Sequence, residues 1–279
     1  MKLSLAFSPC PNDTFIFDAM IHHKVDTEGL VFDVVLQDVE ALNLNAFKQE
    51  FDITKLSYHA YAYLMHTYRL LTSGSALGKN CGPLLISKTD FTIDELENKW
   101  IGIPGKYTTA NFLLSLACPK LKQKKAFVFS EIEPRICRAD IDAGLIIHEN
   151  RFTYLERGFK KIIDLGAWWE EHTQHPIPLG GIAVSRKLPL SLQQKINRVL
   201  KRSIEFAFSN PKSSQVYVRQ HAQEMDASVM QQHIKLYVND YSLDLGTKGK
   251  EAVYYLYDTA QKQALIEYYP DDIFVPPSS

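Results

Sequence analysis

The apolar positions of this chain fall into short blocks with two periods. Period-two alternation and brief continuous runs mark strands, and spacings of three and four mark helices. Residues 3–7 (Leu-Ser-Leu-Ala-Phe) alternate as a first strand. Ser8-Pro9-Cys10-Pro11-Asn12-Asp13-Thr14 breaks it, and a helix over 15–20 follows, with Asn12 or Asp13 as the cap that accepts from its first-turn amides. A second strand over 30–36 and a helix over 38–47, with Val39, Leu42 and Phe47 turned inward, come next. Asp52-Ile53-Thr54-Lys55-Leu56-Ser57 is then a brief strand running into a helix over 58–65, capped by Ser57. Residues 70–78 read as a strand entering a small-residue loop.

Residues 82–88 and 180–186 share a pattern of small pair, apolar triplet, serine and base, which predicts two crossing strands. Between them the pattern starts afresh: a turn at Asp94-Glu95-Leu96, a strand over 100–104, a loop Gly105-Lys106-Tyr107-Thr108, and a helix from Thr109-Ala110-Asn111. A strand at 127–129 and a helix over 131–138 lead to Gly144-Leu145-Ile146-Ile147-His148-Glu149-Asn150. That Ile-rich run, opened by Gly144, predicts a buried parallel strand. Phe51-Asp52-Ile53 is echoed by Ile141-Asp142-Ala143, as one motif used in two domains. The expected organisation is α/β, with 1–85 and 184–279 as a discontinuous first lobe and 86–183 as an inserted second lobe. Beyond residue 190 the pattern is helical. Ser191 with Gln194 resembles a capping box, and Leu192, Ile196, Val199, Leu200 and Ala207 share one face. Helices over 213–223, 226–238 (burying Met230, Ile234 and Tyr237) and 250–267 follow, and the tail 276–279 is expected to fray.

Chemistry is expected where strands hand over to helices. In open α/β sheets the ligand crevice lies outside the carboxyl ends of the strands, which makes His148 the candidate base. Four helix amino termini, after Pro11, Lys55, Gly105 and Glu149, would present unpaired amides and partial positive charge. Lys55 and Lys106 would add full charge, Thr108 and Thr109 hydroxyl donors, and Asn12 and Ser57 neutral polar contacts. Together these suit a carboxylate on a mainly apolar ligand, although each hydroxyl also reads as a plain cap. Tyr58, Tyr61, Tyr107, Phe152, Tyr154, Trp168 and Trp169 lie near the junctions, as stacking surfaces or as core.

Composition narrows the class. With 279 residues, two domains are the first expectation. Hydrophobic residues at 46% and charged residues at 23% are ordinary for a soluble globular protein. A net charge of -1 without like-charge runs argues against nucleic acid as a partner. No stretch reaches the ~20 apolar residues of a membrane span. The first residues are too short for a signal-peptide core, so the cytoplasm is expected. Cys10, Cys81, Cys118 and Cys137 form no Cys-x-x-Cys pair or Cys/His cluster, so no metal or redox motif is read. Lys79-Asn80-Cys81 and Ala117-Cys118-Pro119 are the candidates for reactive thiols.

Six blocks stand out: Ser8-Pro9-Cys10-Pro11-Asn12-Asp13-Thr14-Phe15, Thr54-Lys55-Leu56-Ser57, Gly105-Lys106-Tyr107-Thr108-Thr109-Ala110, Ile147-His148-Glu149, Asp164-Leu165-Gly166 with Trp168-Trp169-Glu170, and Pro176-Ile177-Pro178-Leu179-Gly180-Gly181. They are similar to the 1,4-dihydroxy-6-naphthoate synthase family of the futalosine route to menaquinone. The resemblance runs from residue 3 to about 188. It implies a type II periplasmic-binding-protein-like fold, two α/β lobes around a central cleft with two crossover strands. It also implies cleavage of cyclic dehypoxanthine futalosine to 1,4-dihydroxy-6-naphthoate, with His148 as proton acceptor, Lys55, Leu56, Ser57, Thr109 and Ala110 as substrate contacts, and no cofactor. Two other readings share the fold. One is a non-catalytic solute-binding protein for a small aromatic carboxylate, and the other is the chorismate dehydratase of the same pathway.

Overall fold

The computed structural model describes residues 1–148, 150–222 and 226–277. The chain forms two compact units, Met1–Gly78 with Pro178–Ser279, and Lys79–Ile177. In the first, β1 (Lys2–Phe7) leads into α1 (Pro11–Ile21), β2 (Val31–Leu36) into α2 (Val39–Phe47), and β3 (Ile53–Ser57) into α3 (Tyr58–Ala62); β4 (Tyr68–Leu70) and β5 (Ala76–Gly78) close this stretch. The second unit holds β6 (Leu84–Ser87), a 3-10 turn at Asp94–Leu96, β7 (Ile101–Ile103), α4 (Thr109–Ala117), β8 (Lys124–Ala126), α5 (Phe129–Cys137), β9 (Ala143–Ile146), α6 (Asn150–Thr153), β10 (Lys160–Asp164) and α7 (Leu165–Thr173). The chain then returns to the first unit through β11 (Ile177–Ser185), α8 (Leu190–Ser209), α9 (Gln215–His221), α10 (Ala227–Tyr237), α11 (Asp240–Leu243) and α12 (Gly246–Lys262).

The two sheets follow one plan. The first runs β2-β1-β3-β11-β4, with β5 also paired to β11; β1 is parallel to β2 and β3, and β11 is antiparallel to β3 and β4. The second runs β10-β6-β9-β7-β8, with β7 parallel to β8 and β9, and β6 antiparallel to β9 and β10. Each sheet thus has three parallel strands followed by an antiparallel one, and the repeated aspartates latch the corresponding strands. Asp52, just before β3, accepts from the Ser4 amide (2.9 Å) and hydroxyl (2.9 Å) on β1. Asp142, just before β9, accepts from the Trp100 amide (2.8 Å), just before β7.

The first core gathers Leu3, Leu5 and Phe7 of β1 against Phe15, Ile16, Phe17 and Met20 of α1 and Ile196, Val199, Leu200 and Ile204 of α8. Every residue of α1 from Pro11 to Met20 is buried, so this helix has no polar stripe. The second core is smaller, with Ile132 and Ile136 of α5 lying over Leu84, Ile86 and Ile146 of the sheet.

Several expectations are corrected. Among the described residues, 82–88 and 180–186 do not cross between sheets: β6 pairs with β9 and β10, and β11 with strands of the first sheet. The units therefore divide after Gly78 and Ile177, not after residues 85 and 183. The β9 run is parallel to β7 alone, its other neighbour being antiparallel. Residues 127–128 precede α5 and are not a strand; the edge strand lies at Lys124–Ala126, where a short stretch with two lysines suits an exposed edge. Helix α1 begins at Pro11, a residue suited to a first turn, so Asn12 and Asp13 lie inside it and Cys10 occupies the cap position. Pro189 takes the cap position of α8 in the same way, which puts Ser191 inside the helix. The helix expected over 58–65 ends at Ala62. Of the two readings given for the aromatic residues near the junctions, Tyr58, Tyr61, Tyr154 and Trp169 take the core one. Glu149, placed before a helix amino terminus, the end of the helix over 213–223 at Gln223 and the fraying of Ser278 and Ser279 lie outside the described residues.

Candidate functional site

In the first unit β1 and β3 are parallel neighbours, so their carboxyl ends and the starts of α1 and α3 share one edge of the sheet. There the buried Asp13 carboxylate gathers four donors. Oδ2 accepts from the Ser8 amide (3.3 Å) and hydroxyl (2.7 Å), and Oδ1 from Asn12 Nδ2 (2.8 Å) and Lys55 Nζ (3.0 Å). The side chains of Lys55 and Asp13 are 7% and 1% exposed, so this ion pair lies almost wholly out of water. The Lys55 stem runs over Gly180, where an added Cβ would lie 3.2 Å from Lys55 Cε and 2.8 Å from the Leu56 carbonyl oxygen. A side chain at 180 would displace one or the other.

Ser57 sits at the cap position of α3 without capping it. Its Oγ instead accepts from Asn43 Nδ2 (3.1 Å), while its amide donates to Asn43 Oδ1 (3.0 Å). Asn43 Nδ2 also donates to Glu40 Oε2 (3.0 Å), which fixes the amide orientation. Holding the oxygen as an acceptor leaves the Ser57 hydroxyl hydrogen to donate to another group. Leu56 is fully buried. Asn12 is committed on both sides of its amide, donating to Asp13 and accepting from His233 Nε2 (2.9 Å).

In the second unit the parallel pair β7 and β9 likewise brings two carboxyl ends to one edge. Thr108 caps α4, accepting from the Asn111 amide (3.2 Å) while its hydroxyl donates to the Gly105 carbonyl (2.9 Å). That hydroxyl hydrogen is therefore spent on the loop, and Thr108 acts as a cap. Thr109 and Ala110 are buried in the first turn, and Lys106 is exposed. His148 follows β9 with a backbone φ of 63°, the left-handed region that few non-glycine residues occupy and in which histidine is enriched. Its ring is half-buried, 4.6 Å from the ring of Phe129 and tilted 58° to it. The segment beyond is pinned by Arg151, which donates to the Gly82 carbonyl and to Asp164 Oδ2 (2.8 Å). Asp164 in turn caps α7 through the amides of Gly166 (2.9 Å) and Ala167 (3.1 Å).

Of the four helix termini expected to welcome an anion, α3 and α6 are single turns of five and four residues. Their aligned dipoles are too few to matter much. Burial pushes the Cys81 thiol up to about 12 and the Cys118 thiol upward as well, so neither is a ready nucleophile. Among the described residues no group of three or more His, Cys, Asp or Glu is placed to hold a metal, and no helix is long and apolar enough to cross a membrane. Sequence reasoning missed Asp13 as an ion-pair partner, Asn43 and His233. The third had a signal: a histidine at the apolar spacing of Met230 and Tyr237.

The chain matches a family model described as "Menaquinone biosynthesis" over residues 3–262. A curated 1,4-dihydroxy-6-naphthoate synthase of Thermus thermophilus is 41% identical over 98% of this chain and 99% of its own. A crystal structure of an Archaeoglobus fulgidus protein is 37% identical, with a TM-score of 0.90 over 95% of this chain and 98% of that one. At 15% identity, a Candida albicans protein described as having the generic periplasmic binding protein fold aligns with a TM-score of 0.69 over 98% of this chain and 93% of its own, and so speaks for the fold alone. The two-sheet α/β architecture is that fold, and the chain belongs to the menaquinone-biosynthesis family.

Proposed function

We propose that this protein is a carbon–carbon lyase that converts cyclic dehypoxanthine futalosine to 1,4-dihydroxy-6-naphthoate. The family match over nearly the whole chain carries the reading. The placement of His148 at the carboxyl end of β9, with its ring against Phe129, suits it to the role of general base. In this reading neutral His148 removes a proton from the cyclic substrate, the carbon–carbon bond breaks, and aromatisation drives the step. The Lys55 ammonium and the Ser57 hydroxyl in the first unit, and the amides of the first turn of α4 at Thr109 and Ala110 in the second, each suit polar groups of the substrate, the aromatic carboxylate above all. Asn12 and Thr108, already committed to protein partners, support these contacts. The free cysteines suit a reducing compartment, and we place the reaction in the cytosol.

The test is incubation of the purified protein with cyclic dehypoxanthine futalosine, following the naphthoate by chromatography with mass detection. Wild type is expected to form product. His148→Ala is expected to lose about 10²–10⁴-fold in kcat, the usual share of a general base, while still binding the naphthoate. Full turnover by His148→Ala would remove the base assignment. Binding without product in wild type would point to a solute receptor.

A further inference from the structure

We propose that His233 is a positioning residue for the Lys55 ammonium, acting from α10 through Asn12 and the Asp13 carboxylate. The inference rests on Lys55 being a substrate contact, as proposed above.

The hydrogens along this chain of contacts can be assigned. The Asn12 amide group 2.8 Å from Asp13 Oδ1 must be the nitrogen, since a carboxylate that also receives Lys55 and Ser8 offers acceptors. That orientation turns Asn12 Oδ1 toward His233, 2.9 Å away, so His233 Nε2 carries the hydrogen and donates. His233 is 1% exposed, and its ring lies 4.5 Å from that of Tyr237 on the inner face of α10. Asn12 Nδ2 and Lys55 Nζ then share one carboxylate oxygen, while Ser8 holds the other. Among the described residues Asp13 is the hydrogen-bond partner of the ammonium, which leaves two of its three donors for a ligand.

A buried ion pair is weak evidence for stability, because desolvation offsets most of the attraction. Its use here is geometric. A flexible four-carbon stem is held to one direction only if the carboxylate it meets cannot turn, and Asn12, oriented by His233, is one of the two side chains that stop it turning. The alternative role for His233, joining α10 to α1 and nothing more, predicts a change in stability alone.

Four variants separate the two: His233→Leu, His233→Gln, Lys55→Met and the His233→Leu/Lys55→Met double. Each is measured for affinity to 1,4-dihydroxy-6-naphthoate by calorimetry, for KM and kcat, and for thermal midpoint. His233→Leu should weaken naphthoate binding and raise KM about tenfold with kcat nearly unchanged, as expected for loss of an interaction common to ground and transition states. His233→Gln places an amide nitrogen close to the site of imidazole Nε2 and should restore most of the affinity. In the Lys55→Met background, His233→Leu should cost no further affinity, because the group it aims is gone. Should His233→Leu not fold, Asn12→Ala breaks the same link from α1 and is expected to give the same split.

Wild-type affinity in His233→Leu with a lowered midpoint would overturn the proposal, as would a second full loss of affinity in the double variant. A wild type that neither turns over the substrate nor binds the naphthoate would remove the functional reading and this inference with it. A wild type that does both, beside an indistinguishable His233→Leu, would remove this inference alone.

Discussion

Ser57 shows how one buried amide decides what a hydroxyl can do. Asn43 reaches it from α2 with both halves of its amide, and Glu40 holds Asn43 from the far side. Replacing Asn43 by Ala would leave a buried amide and a buried hydroxyl oxygen without those partners, a loss of about 1–3 kcal/mol readable from urea denaturation. It would also let the hydroxyl rotate, so KM for the cyclic substrate should rise. An unchanged KM in a destabilised Asn43→Ala would mean that Ser57 does not touch substrate. At His148 the main chain is itself constrained: its φ of 63° lies in the left-handed region, and Arg151 fixes the segment that follows.

At the scale of elements, length and close approach matter more than capping. The nine-residue α4, capped by Thr108, is long enough to carry a dipole, whereas α3 and α6 serve mainly to turn the chain. The amino end of α7 lies against the main chain at Gly82, where an added Cβ would come within 2.2 Å of both Gly166 Cα and N. Gly82→Ala must therefore push the two segments apart, costing about 1–3 kcal/mol or more for overpacking against main chain that has no rotamer to yield. Because Arg151 donates to the Gly82 carbonyl and pins the chain after His148, turnover should fall along with stability. The check is a denaturation midpoint measured beside kcat. A variant with wild-type values for both would show that the contact is slack.

Across the whole molecule the same strand plan occurs twice, and the first unit is also tied together by the end of the described chain. Leu70 on β4 donates to the Ile273 carbonyl (2.8 Å) and accepts from the Val275 amide (2.8 Å). Beside them Asp272 pairs with Arg186, the residue after β11, and with Arg69 on β4. The Arg186 hydrogen bonds first, then those of Arg69, hold the Asp272 carboxyl down at about 2. A depressed folded value means that the pairing stabilises fully above the unfolded carboxyl value of about 3.9 and is lost as pH falls through about 2. The gap in thermal midpoint between wild type and Asp272→Asn should accordingly be largest above pH 4 and close between pH 4 and 2. A gap that ignores pH would assign the effect to packing rather than charge. The pair is largely solvated, so the gap will be modest and will shrink in salt.

Local order was legible in the sequence because it is set by periods of two and 3.6 and by turn chemistry. The strands β1, β2, β3, β7 and β9, the start of α4 at Thr109 and the inner faces of α8 and α10 follow from side-chain spacing alone. So does the echo of Asp52 in Asp142, since a latch at the start of a parallel strand needs the same residue at the same place in each sheet. What the tertiary structure decided is which polar groups meet. Residues 82–88 and 180–186 look alike, yet each stays in one sheet, because register depends on partners far away in the chain. Asp13 reads as a helix cap until Lys55, 42 residues on, claims its oxygen, and His233 lies 221 residues from the amide it orients. Periodicity reports which face of an element is buried. Only the packed chain pairs a buried donor with its acceptor, and that pairing gives Asn12, Asp13 and His233 their roles beside Lys55.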